Sequence, residues 1–227
     1  MAELVERQAL LECALAMNSQ GLNQGSSGNL SIRLASGMLI TPSALSYHRC
    51  TPEDMVLVGW DGTVQGRRAP SSEWRMHHDI YLAYEEAKCI LHAHAPWCST
   101  LACLERGIPG QHYMVALAGG EDIRCTAYAP FGTQELSDTA VAGLQGRSAT
   151  LLGHHGHTAQ ALRGFAPARH EALEQQAARQ VRCGLGRGLE RCGFERGEQR
   201  RQHASPFTRN LRSHDRPGAP GDRKSVV

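Results

Sequence analysis

The chain has 227 residues and a formal net charge of +2, and 41% of its residues are hydrophobic. This length suffices for one domain with a sizeable core, and the small net charge says little about partners. No stretch approaches the roughly 18 uninterrupted apolar residues of a membrane-spanning helix. Acidic residues are scattered through the first 20 positions, unlike a secretion signal, so we predict a cytoplasmic protein.

Residues 1–160 predict helices interspersed with short strands. Apolar spacing indicates helices over 2–18, about 70–86, 96–106 and 132–144, and strands over 30–34, 38–41, 55–58, 89–95, 123–127 and 149–152. The turn at Ser36-Gly37 predicts a hairpin between the first two strands. The strands cluster early and do not form a regular βαβ series. We therefore predict a mixed α/β fold with a central, mostly antiparallel sheet flanked by helices.

The last 67 residues differ from the rest. Residues 1–160 carry 10 Lys/Arg and 15 Asp/Glu, a net charge of −5, whereas residues 161–227 carry 14 and 7, a net charge of +7. The second segment is rich in Arg, Gly and Pro and poor in large apolar residues, so it cannot fill a core alone. We predict a domain over 1–160 and an atypical segment over 161–227 that is frameshifted, diverged or disordered, with a helix possible only over 170–183.

The eight cysteines form no Cys-x-x-Cys pair. Without a secretion signal we expect them to be reduced and mostly buried as small apolar side chains. A zinc site built from cysteines is therefore not expected.

Two histidines lie two positions apart in the apolar run Cys89–Ala95. Alternate side chains of a strand share one face, so His92 and His94 would point to the same place. Such a pair alone is more often satisfied by hydrogen bonds than by a metal. A third candidate, His155, follows the predicted strand 149–152 and precedes Gly156. Three neutral imidazoles with one further position are typical of a catalytic zinc site.

Other histidines are interpreted more simply. His154 would point away from His155 in an extended backbone, and His77, His78, His112 and His157 are expected to be surface or core residues.

Glu73 lies at the predicted start of a helix. A carboxylate there is often only a partner of the helix dipole. Beside a metal and partly desolvated, however, it would transfer protons near neutral pH.

Two small polar stretches could hold a phosphate. Ser71 and Ser72 lie at the start of the same helix, and residues 25–29 form a Gly/Ser-rich turn before the first strand. Hydroxyls and backbone N–H groups bind phosphate without lysine. Each stretch alone is also ordinary turn or cap sequence, but their occurrence beside Glu73 favours phosphate binding.

These stretches, in this order, resemble the class II aldolase/adducin family, and most closely its fuculose-phosphate aldolase branch. The resemblance spans about residues 5–160 and rests on residues 21–25, 28–33, 37–42, 70–75, 92–95, 108–114, 131–137 and 149–156.

The resemblance implies a zinc-dependent lyase that cleaves a ketose 1-phosphate, such as fuculose 1-phosphate, to dihydroxyacetone phosphate and an aldehyde. It implies one Zn²⁺ per subunit, on His92, His94 and His155, with Glu73 as a displaceable fourth ligand and proton carrier. Tyr113, from a neighbouring subunit of a homotetramer, would handle the proton at the aldehyde oxygen. The implied phosphate-binding residues are Gly28, Asn29, Ser43, Ala44, Ser71 and Ser72.

Two alternatives stay open. The same scaffold is used by sugar-phosphate epimerases, dehydratases and decarboxylases. A damaged, non-catalytic family member would instead act as an interaction protein, with its basic tail contacting nucleic acid by charge. We expect neither a membrane nor a nucleic-acid partner for the aldolase itself.

Overall fold

The computed structural model describes residues 2–110, 113–116 and 118–161. The predictions for His112 and for the segment after Ala161, including a helix over 170–183, lie outside these residues. Among the described helices, none is long and apolar enough to cross a membrane. Of the six described cysteines, only Cys89 and Cys98 are buried, so the expectation that most are buried is wrong there.

One sheet of eight strands organises the fold, and it is mostly antiparallel, as predicted. Its strands are β1 (Asn29–Arg33), β2 (Gly37–Ile40), β3 (Val56–Gly59), β4 (Val64–Gln65), β5 (Cys89–Ala93), β8 (Cys125–Tyr128), β9 (Ala149–Gly153) and β10 (His157–Ala161). Their order in the sheet is β4-β3-β2-β1-β5-β10-β9-β8, and only the β8–β9 pair is parallel. Two short strands, β6 (Ile108–Pro109) and β7 (Asp122–Ile123), pair separately.

Helices cover both faces of the sheet. On one face lie α1 (Ala2–Ser19) and α3 (Pro96–Cys103), whose apolar side chains pack against residues such as Leu39 and Leu151. On the other face lie α2 (Trp74–Ala83) and α5 (Gln134–Gly143), which pack against Met38 and Leu152. A short α4 (Tyr113–Ala116) follows β6. The predicted hairpin of β1 and β2 is confirmed.

The boundaries of α2 differ from the prediction at both ends. The helix begins at Trp74, not at residue 70 or 71, because Pro70 bridges to Pro42 and the Ser71 N–H donates to the Thr41 carbonyl. It ends at Ala83 instead of residue 86. The two following acidic residues, Glu85 and Glu86, would have lain at the negative end of the helix dipole.

Strand β10 was not predicted. Its sequence, His-Thr-Ala-Gln-Ala, has no large apolar residue, so its pattern gives little strand signal. It forms because it pairs with β5 on one side and with β9 on the other. This arrangement brings the β9–β10 turn beside the end of β5, where His94 follows Ala93.

Candidate metal and active site

Three imidazole rings meet at the end of β5. The Nε2 atoms of His92 and His94 lie 2.9 Å apart. His155, in the turn between β9 and β10, has its ring centroid 4.8 Å from that of His92 and 4.9 Å from that of His94. Each residue offers one ligand atom, and the three atoms lie within 4.8 Å of one another. Because alternate residues of a strand share one face, His92 and His94 point to the same place. The order of the strands in the sheet then brings His155 beside them.

Gly156 allows this close approach. A Cβ atom there would lie 2.6 Å from the Ala93 carbonyl oxygen and 2.8 Å from the His94 ring. The preceding turn also separates its two histidines. His154 has a left-handed backbone, with φ +53°, and its exposed ring contacts Glu105 at 3.0 Å rather than the cluster.

Glu73 completes the group from α2. Its Oε2 atom lies 3.4 Å from His92 Nε2, and its Oε1 atom lies 3.3 Å from His155 Nε2. The carboxylate is buried, with 5% of its surface exposed, and it accepts a hydrogen bond of 2.8 Å from the Asn29 amide. Burial raises the pKa of Glu73 to about 7, and the Asn29 hydrogen bond opposes that rise. A group with such a pKa can both give and take a proton at neutral pH.

The three imidazoles are kept neutral by their surroundings. Burial lowers the pKa of His94, and burial with the neighbouring His94 lowers the pKa of His155 to about 4. The pKa of His92 lies well below its ordinary value, mainly because the ring is buried and also because the rings of His155 and His94 are close. Neutral rings offer lone pairs, which is the form that binds a metal.

The donor set fits a divalent cation such as zinc. Three nitrogens with lone pairs converge beside a carboxylate, and Glu73 Oε1 is buried without a hydrogen-bond donor among the described residues. A cation among these atoms would offset the burial of the carboxylate. Nitrogen and carboxylate ligands in this number are those of a catalytic zinc site.

A cavity of about 400 Å³ opens onto this cluster. One part of its wall is small and polar and includes Ser26, Ser27 and Ser72. Another part contains Tyr128, Ala129 and Phe131, and His154 lies on the wall as well. A ligand in this cavity would therefore contact hydroxyl groups, imidazoles and aromatic rings.

One of the predicted phosphate-binding residues lines the cavity, and the others do not. Ser72 lines the cavity, whereas Ser71 is buried behind it and accepts a 3.3 Å hydrogen bond from the Glu73 N–H. Both precede α2 rather than lying within it. The N–H group of Ser43 donates to the Ala69 carbonyl, which holds Ser43 and the left-handed Ala44 beside the chain segment leading to Ser71.

Gly28 and Asn29 are buried where β1 meets β5. A Cβ at Gly28 would lie 2.5 Å from the His92 carbonyl oxygen, so that glycine permits close packing of the two strands. The Asn29 side chain bonds to Glu73, and it does not line the cavity. The neighbouring serines, Ser26 and Ser27, line the cavity instead.

Tyr113 is not gathered into the cluster of this chain. It lies at the start of α4, and 74% of its surface is exposed. Tyr128 and Phe131 were not predicted as site residues, because isolated aromatic residues carry no site signal of their own. His77 was interpreted as a surface or core residue, and it lies fully buried within reach of Asn29.

Comparison with known protein families gives one match over most of the chain. The family model described as the class II aldolase and adducin N-terminal domain matches residues 8–178. This match continues beyond the stretch over which the sequence motifs could be recognised.

Individual relatives agree with that match. The chain is 51% identical over 150 residues to 5-methylthioribulose-1-phosphate/5-deoxyribulose-1-phosphate aldolase of Rhodospirillum rubrum, covering 66% of this chain and 68% of that protein. It is 44% identical over 147 residues to L-fuculose phosphate aldolase of Escherichia coli K12, covering 65% and 68%. A solved structure of L-fuculose 1-phosphate aldolase superposes with a TM-score of 0.75 at 34% identity, covering 81% and 87%.

Proposed function

Because this chain belongs to the class II aldolase and adducin family, we propose that it is a zinc-dependent aldolase. Its substrate would be a ketose 1-phosphate, and its products dihydroxyacetone phosphate and an aldehyde. The observation that carries the proposal is the convergence of His92, His94 and His155 beside the buried carboxylate of Glu73.

The three histidines would hold the zinc. The bound metal would act as a Lewis acid that polarises the ketose carbonyl and offsets the negative charge that develops as the carbon–carbon bond breaks. Glu73 would carry the proton delivered to the carbon of dihydroxyacetone phosphate that had been joined to the aldehyde. Its position beside His92 and His155 suits that task.

The cavity wall suggests how the substrate is oriented. Ser26, Ser27 and Ser72 would surround the phosphate, with support from the loops that contain Gly28, Asn29, Ser43, Ala44 and Ser71. The aldehyde portion would then point to Tyr128, Ala129 and Phe131. Tyr113 is exposed in one chain, and we propose that in a homotetramer it reaches a neighbouring site and handles the proton at the aldehyde oxygen. A cytoplasmic location is part of the same proposal.

The identity of the aldehyde portion separates two candidate substrates. Fuculose 1-phosphate would leave a hydroxylated fragment. A 5-deoxypentulose or 5-methylthiopentulose 1-phosphate would leave an apolar end, and the aromatic wall favours this second class. The similarity to the Rhodospirillum rubrum protein points in the same direction.

A coupled assay tests the proposal. The full chain with zinc should release dihydroxyacetone phosphate from fuculose 1-phosphate, 5-deoxyribulose 1-phosphate or 5-methylthioribulose 1-phosphate, and a chelator should stop the release. The aromatic wall predicts the higher kcat/KM for the two ribulose derivatives. If zinc binds but no ketose 1-phosphate is cleaved, the aldolase proposal is wrong, and an epimerase, dehydratase or decarboxylase becomes the better hypothesis.

A further inference from the structure

Behind Glu73, four buried polar side chains form a continuous line of hydrogen bonds between β1 and α2. Asn29 and Ser31 are two residues apart on β1, and His77 and Tyr81 are four residues apart on α2. Such spacings place each pair on one face of its element. No more than 4% of any of these residues is exposed, so water cannot replace a lost partner.

Each link in the line is short. Asn29 Nδ2 lies 2.8 Å from Glu73 Oε2, and Asn29 Oδ1 lies 2.6 Å from His77 Nε2. His77 Nδ1 lies 2.7 Å from Ser31 Oγ, which lies 3.0 Å from the Tyr81 hydroxyl. Five residues are thus connected, from Tyr81 on α2 to the carboxylate of Glu73.

The chemistry of these groups gives the line one direction. Since the Asn29 amide nitrogen donates to Glu73, its carbonyl oxygen faces His77 and requires a donor. His77 Nε2 must therefore carry the ring proton. Burial lowers the pKa of His77 to about 3, so the ring is neutral and its Nδ1 atom is an acceptor. Ser31 then donates to Nδ1, which leaves Tyr81 to donate to Ser31.

We infer that His77 is a positioning residue, which fixes the Asn29 amide through this one-way line of hydrogen bonds so that its NH₂ group faces Glu73. The inference deepens the proposed function and rests on it, because Glu73 is the proposed proton carrier. If the Asn29 amide were reversed, its carbonyl oxygen would face the carboxylate and repel it. His77 thus sets where Glu73 lies relative to the metal ligands without touching substrate.

The tautomer of His77 is the first test. The full chain with zinc is labelled with ¹⁵N-histidine, and the ring signals of His77 are assigned by their loss in His77→Gln. The inference requires a neutral ring protonated at Nε2. A ring protonated at Nδ1 would reverse every link and overturn it. This measurement needs no substrate, so it stays decisive even if the aldolase proposal fails.

A matched pair of variants tests the role. In His77→Gln the side-chain amide can reach the position of Nε2 and still donate to Asn29. In His77→Asn the shorter amide reaches only the position of Nδ1, facing Ser31. Loss of a group that orients a metal-site residue typically costs about 10–100-fold in activity or metal affinity. We expect that loss in kcat for His77→Asn, with little change in KM, and a loss below about five-fold for His77→Gln. Equal losses in both variants would mean that His77 only fills space.

Thermal unfolding of each variant controls for folding. Should His77→Asn not fold, a second matched pair is provided by Tyr81→Phe, on α2, and Tyr84→Phe, at the residue that follows α2. Tyr81 begins the line, whereas the Tyr84 hydroxyl donates to the Val141 carbonyl outside it. Tyr81→Phe should lower kcat and disturb the His77 ring signals, and Tyr84→Phe should change neither. The opposite result would contradict the inference.

Discussion

The Nε2 atoms of His92 and His94 lie 2.9 Å apart, although neither ring is charged. Two neutral imidazoles at this distance share at most one hydrogen bond. His155 and Glu73 close the same small space, with Glu73 Oε1 3.3 Å from His155 Nε2. A cation among these atoms would be bound by the nitrogen lone pairs of the neutral rings. The same cation would balance the buried carboxylate.

The two adjacent histidines of the β9–β10 turn give a direct test of the metal site. His155→Ala removes one of the three converging nitrogens, so zinc content should fall from about one per chain to a small fraction. His154→Ala removes an exposed ring that bonds to Glu105, and zinc content should not change. Elemental analysis after extensive dialysis measures both. Equal zinc in the two variants would refute the assignment of His155.

Gly156 should be required for the geometry of the site. In Gly156→Ala the new Cβ would lie 2.6 Å from the Ala93 carbonyl oxygen, which is backbone and cannot turn aside. The β9–β10 turn must then move away from His94. We expect a loss of stability of about 1–3 kcal/mol and weaker zinc binding, measured by denaturant unfolding and by competition with a chelator.

Gly146→Ala is the matched control for this substitution. Gly146 has a φ of +66° and no atom near its missing Cβ, so alanine there costs about 1–2 kcal/mol of backbone strain. Its zinc affinity should equal that of the wild type. If Gly156→Ala also keeps wild-type affinity, then close packing at the turn does not position the ligands.

The pairing of His92 with His94 could be predicted from sequence, because period-2 alternation in a short apolar run is a local property. His155 and Glu73 could be named as candidates from their local sequence, but the position of His155 beside the pair depends on sheet order, which places β10 between β5 and β9. No local pattern reveals that order, and the full ligand set was implied by the family resemblance. The helix predicted over 2–18 is confirmed as α1 (Ala2–Ser19).

The sequence misled where tertiary pairing replaced a local preference. Ser71 looks like a helix start, but its N–H is bonded to Thr41, and the helix begins three residues later. His77 illustrates a different limit. Its spacing of four from Glu73 is visible in the sequence, but its contact with Asn29 joins residues 48 positions apart.

Glu73→Gln should separate metal binding from proton transfer. The amide keeps the size of the side chain and an oxygen that can accept from Asn29, and three imidazoles remain to hold zinc. Release of dihydroxyacetone phosphate should fall by about 10²–10⁴-fold, which is typical when a general acid or base is lost. Asp61→Asn, in the exposed turn between β3 and β4, should retain wild-type kcat. Near-normal activity in Glu73→Gln would exclude it as the proton carrier.

His77 should also make stability depend on pH in a predictable direction. Burial lowers the pKa of the folded ring to about 3, whereas an unfolded histidine titrates near 6.5. The stability contributed by the neutral ring is therefore complete above about pH 6.5 and is lost as pH falls towards 3. Between pH 7 and pH 5, the unfolded chain binds nearly one proton that the folded chain does not, a change of about 2 kcal/mol.

His77→Gln cannot bind that proton, so its unfolding free energy should fall by about 2 kcal/mol less than that of the wild type over this range. Urea unfolding of both proteins at pH 7, 6 and 5, with a chelator present throughout, measures the difference. His48→Gln, which replaces an exposed histidine, should follow the wild type. Parallel curves for wild type and His77→Gln would show that His77 is also protonated in the folded protein over this pH range. The ring would then not be the neutral acceptor that the line of hydrogen bonds to Glu73 requires.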